Sequence, residues 1–284
     1  MTIKDILHIA TQHLKKKEID NPRLTAEVLL AFLLNLRREE LYMNYGMKLN
    51  KKEIKDYCSL IKRRVKGEPI QYITGKKEFW SLEFFVTPSV LIPRPETEVL
   101  VENAISCLKR IKNPYVLDLG TGSGVIAITI AKEVPGARIW ASDISEEAIK
   151  VAIKNAKKHG VFNKIQFLVG DLWEPFRHQA IKFHLIATNP PYIPEEDYNC
   201  LPQEIRDWEP RIALNGGAKG ITLIKRIIKG AEFFLLHGGW ILMETSPEQI
   251  QPSIELLKET GNFYDIEGIN DYSHQFRVVK ARRI

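Results

Sequence analysis

Apolar residues recur in two different rhythms along this 284-residue chain. Over residues 1–68 the rhythm is helical. Ile3, Ile6, Leu7 and Ala10 fall on one stripe, as a 3.6-residue repeat requires. Asn21-Pro22 suits the start of a second helix, because proline is tolerated in a first turn. Leu24, Val28, Leu29 and Phe32 supply that helix with its expected apolar face. Asn50 and Glu53 have the spacing of a capping box. Ile54, Tyr57, Cys58, Ile61 and Val65 then share one face, and Gly67 and Pro69 end the run. The pattern predicts a small helical bundle over residues 1–68.

Residues 69–95 read differently. The stretch from Phe79 to Val86 is aromatic and rich in strand formers, which predicts a β-hairpin linker. Pro93 and Pro95 stiffen the segment before a helix that begins near Thr97. From residue 114 onward, short apolar runs alternate with amphipathic ones. Strands are expected over 115–119, 138–142, 165–169, 183–188 and 240–244, with two more over 263–269 and 277–282. Helices are expected over 125–132 and 145–159, around Leu223 to Leu235, and after the capping box Ser246-Pro247-Glu248-Gln249. Such alternation implies an α/β domain over 96–284, with a mostly parallel sheet covered by helices on both faces. Ligands of such sheets sit beyond the carboxyl ends of the strands.

Composition narrows the class without naming an activity. The chain is 44% hydrophobic and 27% charged, as an ordinary soluble globular protein is. No apolar run approaches the ~20 residues that span a bilayer, and the first ten residues lack a signal-peptide pattern. Three scattered cysteines argue against a disulfide framework, so a reducing, cytoplasmic setting is expected. The seven histidines show no metal-ligand spacing, and no metal is expected. The net charge of +6 is uneven: residues 1–68 hold 15 Lys and Arg against 9 Asp and Glu, while the remainder is balanced. A basic helical domain fits a solvated surface, and equally a dock for an acidic protein or RNA.

The candidate chemistry gathers at the predicted strand ends. Asn189-Pro190-Pro191-Tyr192 follows the fourth strand. Prolines donate no backbone N–H, which leaves nearby carbonyls free to face a ligand. The Asn side chain offers an acceptor and two donors, and the Tyr a flat surface. Together they suit a planar group carrying an N–H₂, such as an amide or an exocyclic base amine. Asp118-Leu119-Gly120-Thr121-Gly122-Ser123-Gly124 joins the first strand to its helix. Its glycines permit a sharp turn and close approach to a ligand. Asp143 ends the next strand, where an acid commonly binds ribose hydroxyls. Val125 stands where the dinucleotide fingerprint wants Gly or Ala, which disfavours a pyrophosphate. S-adenosylmethionine has no phosphate but a cationic sulfonium and an amino-acid tail, which the acid Asp118 would suit. Asp171, ending the third strand, is placed to reach the adenine amine.

These residues resemble the HemK-type protein-glutamine methyltransferases, which modify the Gly-Gly-Gln loop of class-1 peptide-chain release factors. The likeness spans nearly the whole chain. It includes Pro22-Arg23-Leu24-Thr25-Ala26-Glu27, Gly67-Glu68-Pro69-Ile70-Gln71-Tyr72 and the specific junction Leu91-Ile92-Pro93-Arg94-Pro95-Glu96-Thr97-Glu98. The resemblance implies a Rossmann-like class I methyltransferase domain with seven strands behind a helical substrate-docking domain. It implies S-adenosylmethionine as cofactor, S-adenosylhomocysteine as product and release factors as partners. Cofactor contacts are implied at Gly120, Thr121, Gly122, Ser123, Gly124, Asp143, Asp171, Leu172 and Asn189. Asn189, Pro190, Pro191 and Tyr192 would hold the substrate glutamine, with Asn189, Pro190 and Tyr192 acting in catalysis. Two stretches depart from the family pattern, Glu244-Thr245-Ser246-Pro247 and the Ser273-His274-Gln275-Phe276 that precedes Arg277. The same clamp would also serve a ribosomal-protein glutamine or a nucleic-acid amine. No zinc finger or RNA-binding signature supports the latter. A non-catalytic binding module would predict decay of the loop, Asp143 or the clamp, and all three are intact.

Overall fold

The structure, a computed structural model, describes residues 1–284. The chain separates into two units, Met1–Lys76 with Pro202–Trp208, and Lys77–Leu201 with Glu209–Ile284. The break thus falls at Lys76, within the hairpin, and the stretch 202–208 leaves the α/β region to join the helices.

The first unit contains α1 (Ile3–Lys16), α2 (Pro22–Leu34), α3 (Arg38–Met43), α4 (Lys51–Val65) and α5 (Ile70–Thr74). Thr2 and Asp5 form a capping box at α1, and Asn50 and Glu53 form the expected one at α4. Ile3, Leu7, Leu14, Leu29, Leu30, Leu41 and Tyr57 make the buried centre. Of the face expected for α2, Leu29 is buried and Val28 half-buried, but its two ends are not. Leu24 and Phe32 are exposed, whereas Ala26, Leu29 and Leu30 point inward. The helix is apolar on nearly every side, so periodicity alone does not choose a face. Glu27 helps to choose it: its carboxylate is buried and accepts from Arg23 at 2.5 Å and from the Tyr42 hydroxyl at 2.6 Å. Cys58 likewise proves exposed, one step off the Tyr57–Ile61 line. The short helices α3 and α5 have too few turns to show a period. Arg64, buried on α4, donates to the Glu68 carbonyl and pairs with Glu204 at 2.6 Å, which ties 202–208 into this unit.

The second unit opens with the hairpin β1 (Lys76–Phe79) and β2 (Leu82–Phe85), whose first residue lies at the boundary. Trp80 and Ser81 form its turn, both at positive φ. The chain then runs through α6 (Thr97–Leu108), β3 (Tyr115–Leu119), α7 (Val125–Glu133), β4 (Arg138–Asp143), α8 (Glu146–Lys158), β5 (Ile165–Val169) and β6 (Phe183–Thr188). The short α9 (Gln203–Arg206) lies in the stretch that belongs to the helical unit. There follow α10 (Thr222–Phe234), β7 (Leu235–Glu244), α11 (Pro247–Glu259), β8 (Phe263–Asn270) and β9 (Phe276–Arg283). Seven strands form one sheet in the order β5-β4-β3-β6-β7-β9-β8. The first five are parallel, and β9 and β8 are added antiparallel. Helices α6 and α7 cover one face through Leu100, Ile126 and Ile128. Helices α10 and α11 cover the other through Ile224, Ile228 and Leu257. The α/β architecture is the one expected from the alternating pattern. No helix is long and apolar enough to cross a membrane.

Register determines what the carboxyl edge displays. Leu119 pairs with Ser142 and Thr188, Asp143 with Val169, and Thr188 with Met243. Five strands therefore end within one residue of one another. The loops after them begin at Gly120, Ile144, Gly170, Asn189 and Thr245. Strand order reverses between β3 and β6, the position where open α/β sheets form a ligand crevice.

Candidate active site

The glycine loop sits at that reversal. Gly120, Gly122 and Gly124 have φ of 77°, 55° and 86°, the left-handed region that favours glycine. Gly120 and Gly122 border open space, but a Cβ on Gly124 would lie 3.0 Å from Ile128 and 3.2 Å from Ala152. Gly124 thus lets α7 approach α8. The Ser142 carbonyl accepts from the Gly120 and Thr121 amides at 2.8 and 2.9 Å. Beneath the loop, Asp118 is fully buried. Its Oδ2 accepts from the Thr121 hydroxyl at 2.6 Å and the Ala127 amide at 3.0 Å. Burial pushes its pKa up to about 7, against the pull of those two bonds. Asp118 therefore braces the loop from inside; it is not among the residues that line the cavity above, where a cationic ligand tail would lie.

That cavity, of about 240 Å³, is shared by the expected cofactor residues Gly120 to Ser123, Asp143, Asp171, Leu172 and Asn189. Asp143 accepts from the Gly122 amide through Oδ2 and from the Ser145 amide through Oδ1, both at 2.9 Å. Burial raises its pKa, opposed by these backbone donors. Each oxygen retains a lone pair for a hydroxyl donor. Val90, Leu91, Ile144 and Leu172 add apolar walls. Open space at Gly120, a carboxylate with spare acceptor capacity and flat apolar walls fit an adenosyl group. Asp171 lines the same cavity, yet its Oδ2 is held by the Arg226 guanidinium at 2.7 Å. Arg226 itself lines the cavity and was not anticipated from the sequence.

Asn189 lines the same cavity. Its Nδ2 donates to the Thr97 hydroxyl at 3.2 Å. Its Oδ1 and the Pro190 carbonyl accept no hydrogen bond within the chain. The next residue pair is anchored from behind, since Gln249 Nε2 donates to the Tyr192 carbonyl at 2.7 Å. Burial, together with the nearby Glu244 carboxylate, pushes the Tyr192 phenol up to about 12. Arg94, from the junction segment, pairs with buried Glu209 at 2.5 Å, and Glu209 also accepts from the Ile92 amide. Glu244 ends β7 and is completely buried. Burial pushes its pKa up to about 7, while Thr97, Arg277 and Asn189 favour its charged form. Sequence reading singled out the Thr97 helix start and the Glu244 stretch but assigned neither side chain to the site. The available signal was an acid at the end of a buried strand on the same edge as Asn189.

Two family models match the chain: a PrmC N-terminal domain over residues 5–75 and a methyltransferase small domain over residues 96–204. The release factor glutamine methyltransferase of Geobacter sulfurreducens is 41% identical over 282 residues, covering 99% of this chain and 96% of its own length. That of Coxiella burnetii is 42% identical over 262 residues, covering 92% of each. Among solved structures, the T. thermophilus 16S rRNA N2 G1207 methyltransferase, in complex with AdoMet and guanosine, is similar with a TM-score of 0.52. It is 19% identical and covers 74% of this chain and 50% of its own, which speaks to the fold alone.

Proposed function

Because the chain belongs to the release factor glutamine methyltransferase family, we propose that it methylates the Gly-Gly-Gln glutamine of class-1 release factors on the side-chain nitrogen. Residues Gly120 to Ser123, Asp143, Asp171, Leu172 and Asn189 would hold S-adenosylmethionine, with Gly124 closing the loop onto α7 from outside the cavity, and Asn189 to Tyr192 would hold the glutamine. When bound, that cofactor supplies an electrophilic methyl group on a sulfonium.

The difficulty of the reaction lies in the nucleophile. An amide nitrogen shares its lone pair with the carbonyl. Asn189 Oδ1 and the Pro190 carbonyl are both acceptors without a partner in the chain. Accepting the two amide hydrogens would hold the nitrogen with its lone pair toward the cofactor pocket. Tyr192 would pack on the amide plane, on a backbone fixed by Gln249. The residues thus act by orientation, which can account for several powers of ten in rate. The unpartnered Asn189 Oδ1, beside the same cavity as Gly120 and Asp143, is the observation that carries this reading.

The test is transfer of a labelled methyl from S-adenosylmethionine to intact release factor, to the factor with its Gly-Gly-Gln glutamine replaced by Ala, and to total RNA. Label on the intact factor alone is expected. Label on RNA and none on the factor would assign the clamp to a base amine. Asn189→Ala is expected to lower turnover by about a hundredfold or more, with a much smaller loss of cofactor affinity because Asn189 is one of several residues that would hold it.

A further inference from the structure

An asparagine amide has two ends of nearly equal size, and only one serves this reaction. With Oδ1 toward the substrate amide, Asn189 accepts a hydrogen. Flipped, it would present a second N–H₂ to the first. The Thr97 hydroxyl that Asn189 meets does not settle the choice, because a hydroxyl both donates and accepts. A third group must do so.

Glu244 stands in that place. It lies at the end of β7, level with the Asn189 end of β6, and neither carboxylate oxygen makes a hydrogen bond of good geometry. Thr97 and Asn189 are nevertheless close enough to stabilise its charge. An ionised carboxylate only accepts. The Thr97 oxygen already accepts from Asn189, so its own hydrogen is free to point at Glu244. We propose that Glu244 is a positioning residue which, through the Thr97 hydroxyl, holds the Asn189 amide with Nδ2 inward and Oδ1 toward the substrate. This rests on the reading of Asn189 to Tyr192 as the glutamine clamp. The relay has a direction only while Glu244 is charged. A protonated carboxyl can donate to Thr97, and the hydroxyl could then donate to Asn189 Oδ1.

Several groups surround this carboxyl. Burial is the largest influence and raises its pKa, and Glu96 at the start of α6 acts in the same sense. Thr97, Arg277 on β9 and Asn189 oppose them. The Tyr192 phenol faces it from the clamp and stays neutral near pH 7. The carboxyl therefore titrates at about pH 7, where the loss of orientation can be followed.

The experiment compares kcat, cofactor Kd and pH profile for wild type, Glu244→Gln, Thr97→Val, Thr97→Ser and Asn189→Ala. Glu244→Gln keeps the shape but can donate as well as accept. Its kcat is expected to fall about ten- to a hundredfold with cofactor Kd unchanged. The wild-type rise in turnover from about pH 6 to 8 should flatten. Thr97→Val should lose turnover similarly, and Thr97→Ser should restore it to within about threefold. Wild-type kcat and pH profile in Glu244→Gln, or wild-type turnover in Thr97→Val, would overturn the proposal. If Glu244→Gln does not fold, the Thr97 pair decides. Undiminished turnover in Asn189→Ala would instead overturn the clamp reading itself.

Discussion

At the scale of single residues, burial and backbone conformation set the expected effects. Gly124→Ala places a Cβ at positive φ against Ile128 and Ala152. A loss of about 1–3 kcal/mol is expected in urea unfolding. Glu244 and Asp118 both have folded pKa values raised to about 7 by burial. The folded state then holds more protons than the unfolded one, so their contribution is present at low pH and lost as pH rises through about 7. The Tm of Glu244→Gln relative to wild type should accordingly rise between pH 5 and pH 8. The opposite trend would show that Glu244 is stabilised as a charge. Asp171 and Arg226 form a half-exposed pair of little value to stability. Asp171→Ala should weaken S-adenosylmethionine about tenfold by calorimetry and leave Tm nearly unchanged. The acids at the strand ends were legible from their place after apolar runs. Their partners were not, because Arg226 is 55 positions from Asp171 and no local pattern links them.

Among elements, the strands and long helices of the second unit follow their apolar rhythm, while short or uniformly apolar elements do not. Helix α2 shows why: with apolar residues on most sides, its orientation waits for Glu27 to find Tyr42 and Arg38 on α3. Some residues join elements in ways their own segment does not reveal. Gln249 completes the capping box of α11 and also holds the Tyr192 carbonyl. Asn155, buried on α8, accepts from the Phe85 amide at 2.7 Å and donates to the Phe85 and Ser123 carbonyls, each at 2.9 Å. It pins the hairpin and the glycine loop to one helix. Asn155→Leu leaves three backbone groups without their partner, and a loss of about 2–4 kcal/mol is expected by denaturant unfolding, together with weaker cofactor binding.

Across the whole molecule, the excess charge and the chain path bear on substrate choice. The basic surplus lies within residues 1–68, with Lys51, Lys52 and Lys55 exposed at the start of α4. Reversing these three to Glu is expected to raise KM for intact release factor severalfold, about three to ten times, with kcat retained and the difference shrinking in salt. An unchanged KM would show that this face does not dock the substrate. Deleting residues 1–68 is a poorer probe, because Arg64 holds Glu204 and the stretch 202–208 packs with the helices. The sequence by itself determined the order of the strands and long helices along the chain, the α/β class, the glycine loop and the Asn-Pro-Pro-Tyr turn after the fourth long strand of the second unit. All of these are written in neighbouring residues through periodicity and through the backbone chemistry of Gly and Pro. Only the tertiary structure decided that Thr97 meets Asn189 across 92 positions, that Arg94 meets Glu209 across 115, and that Glu244 is buried beside Asn189 and Thr97. The nearness of Glu244 to Asn189 depends on the register of β6 against β7, and that of Arg94 to Glu209 on two distant loop segments meeting in the folded chain. Register is a property of the assembled sheet, and no single strand carries it.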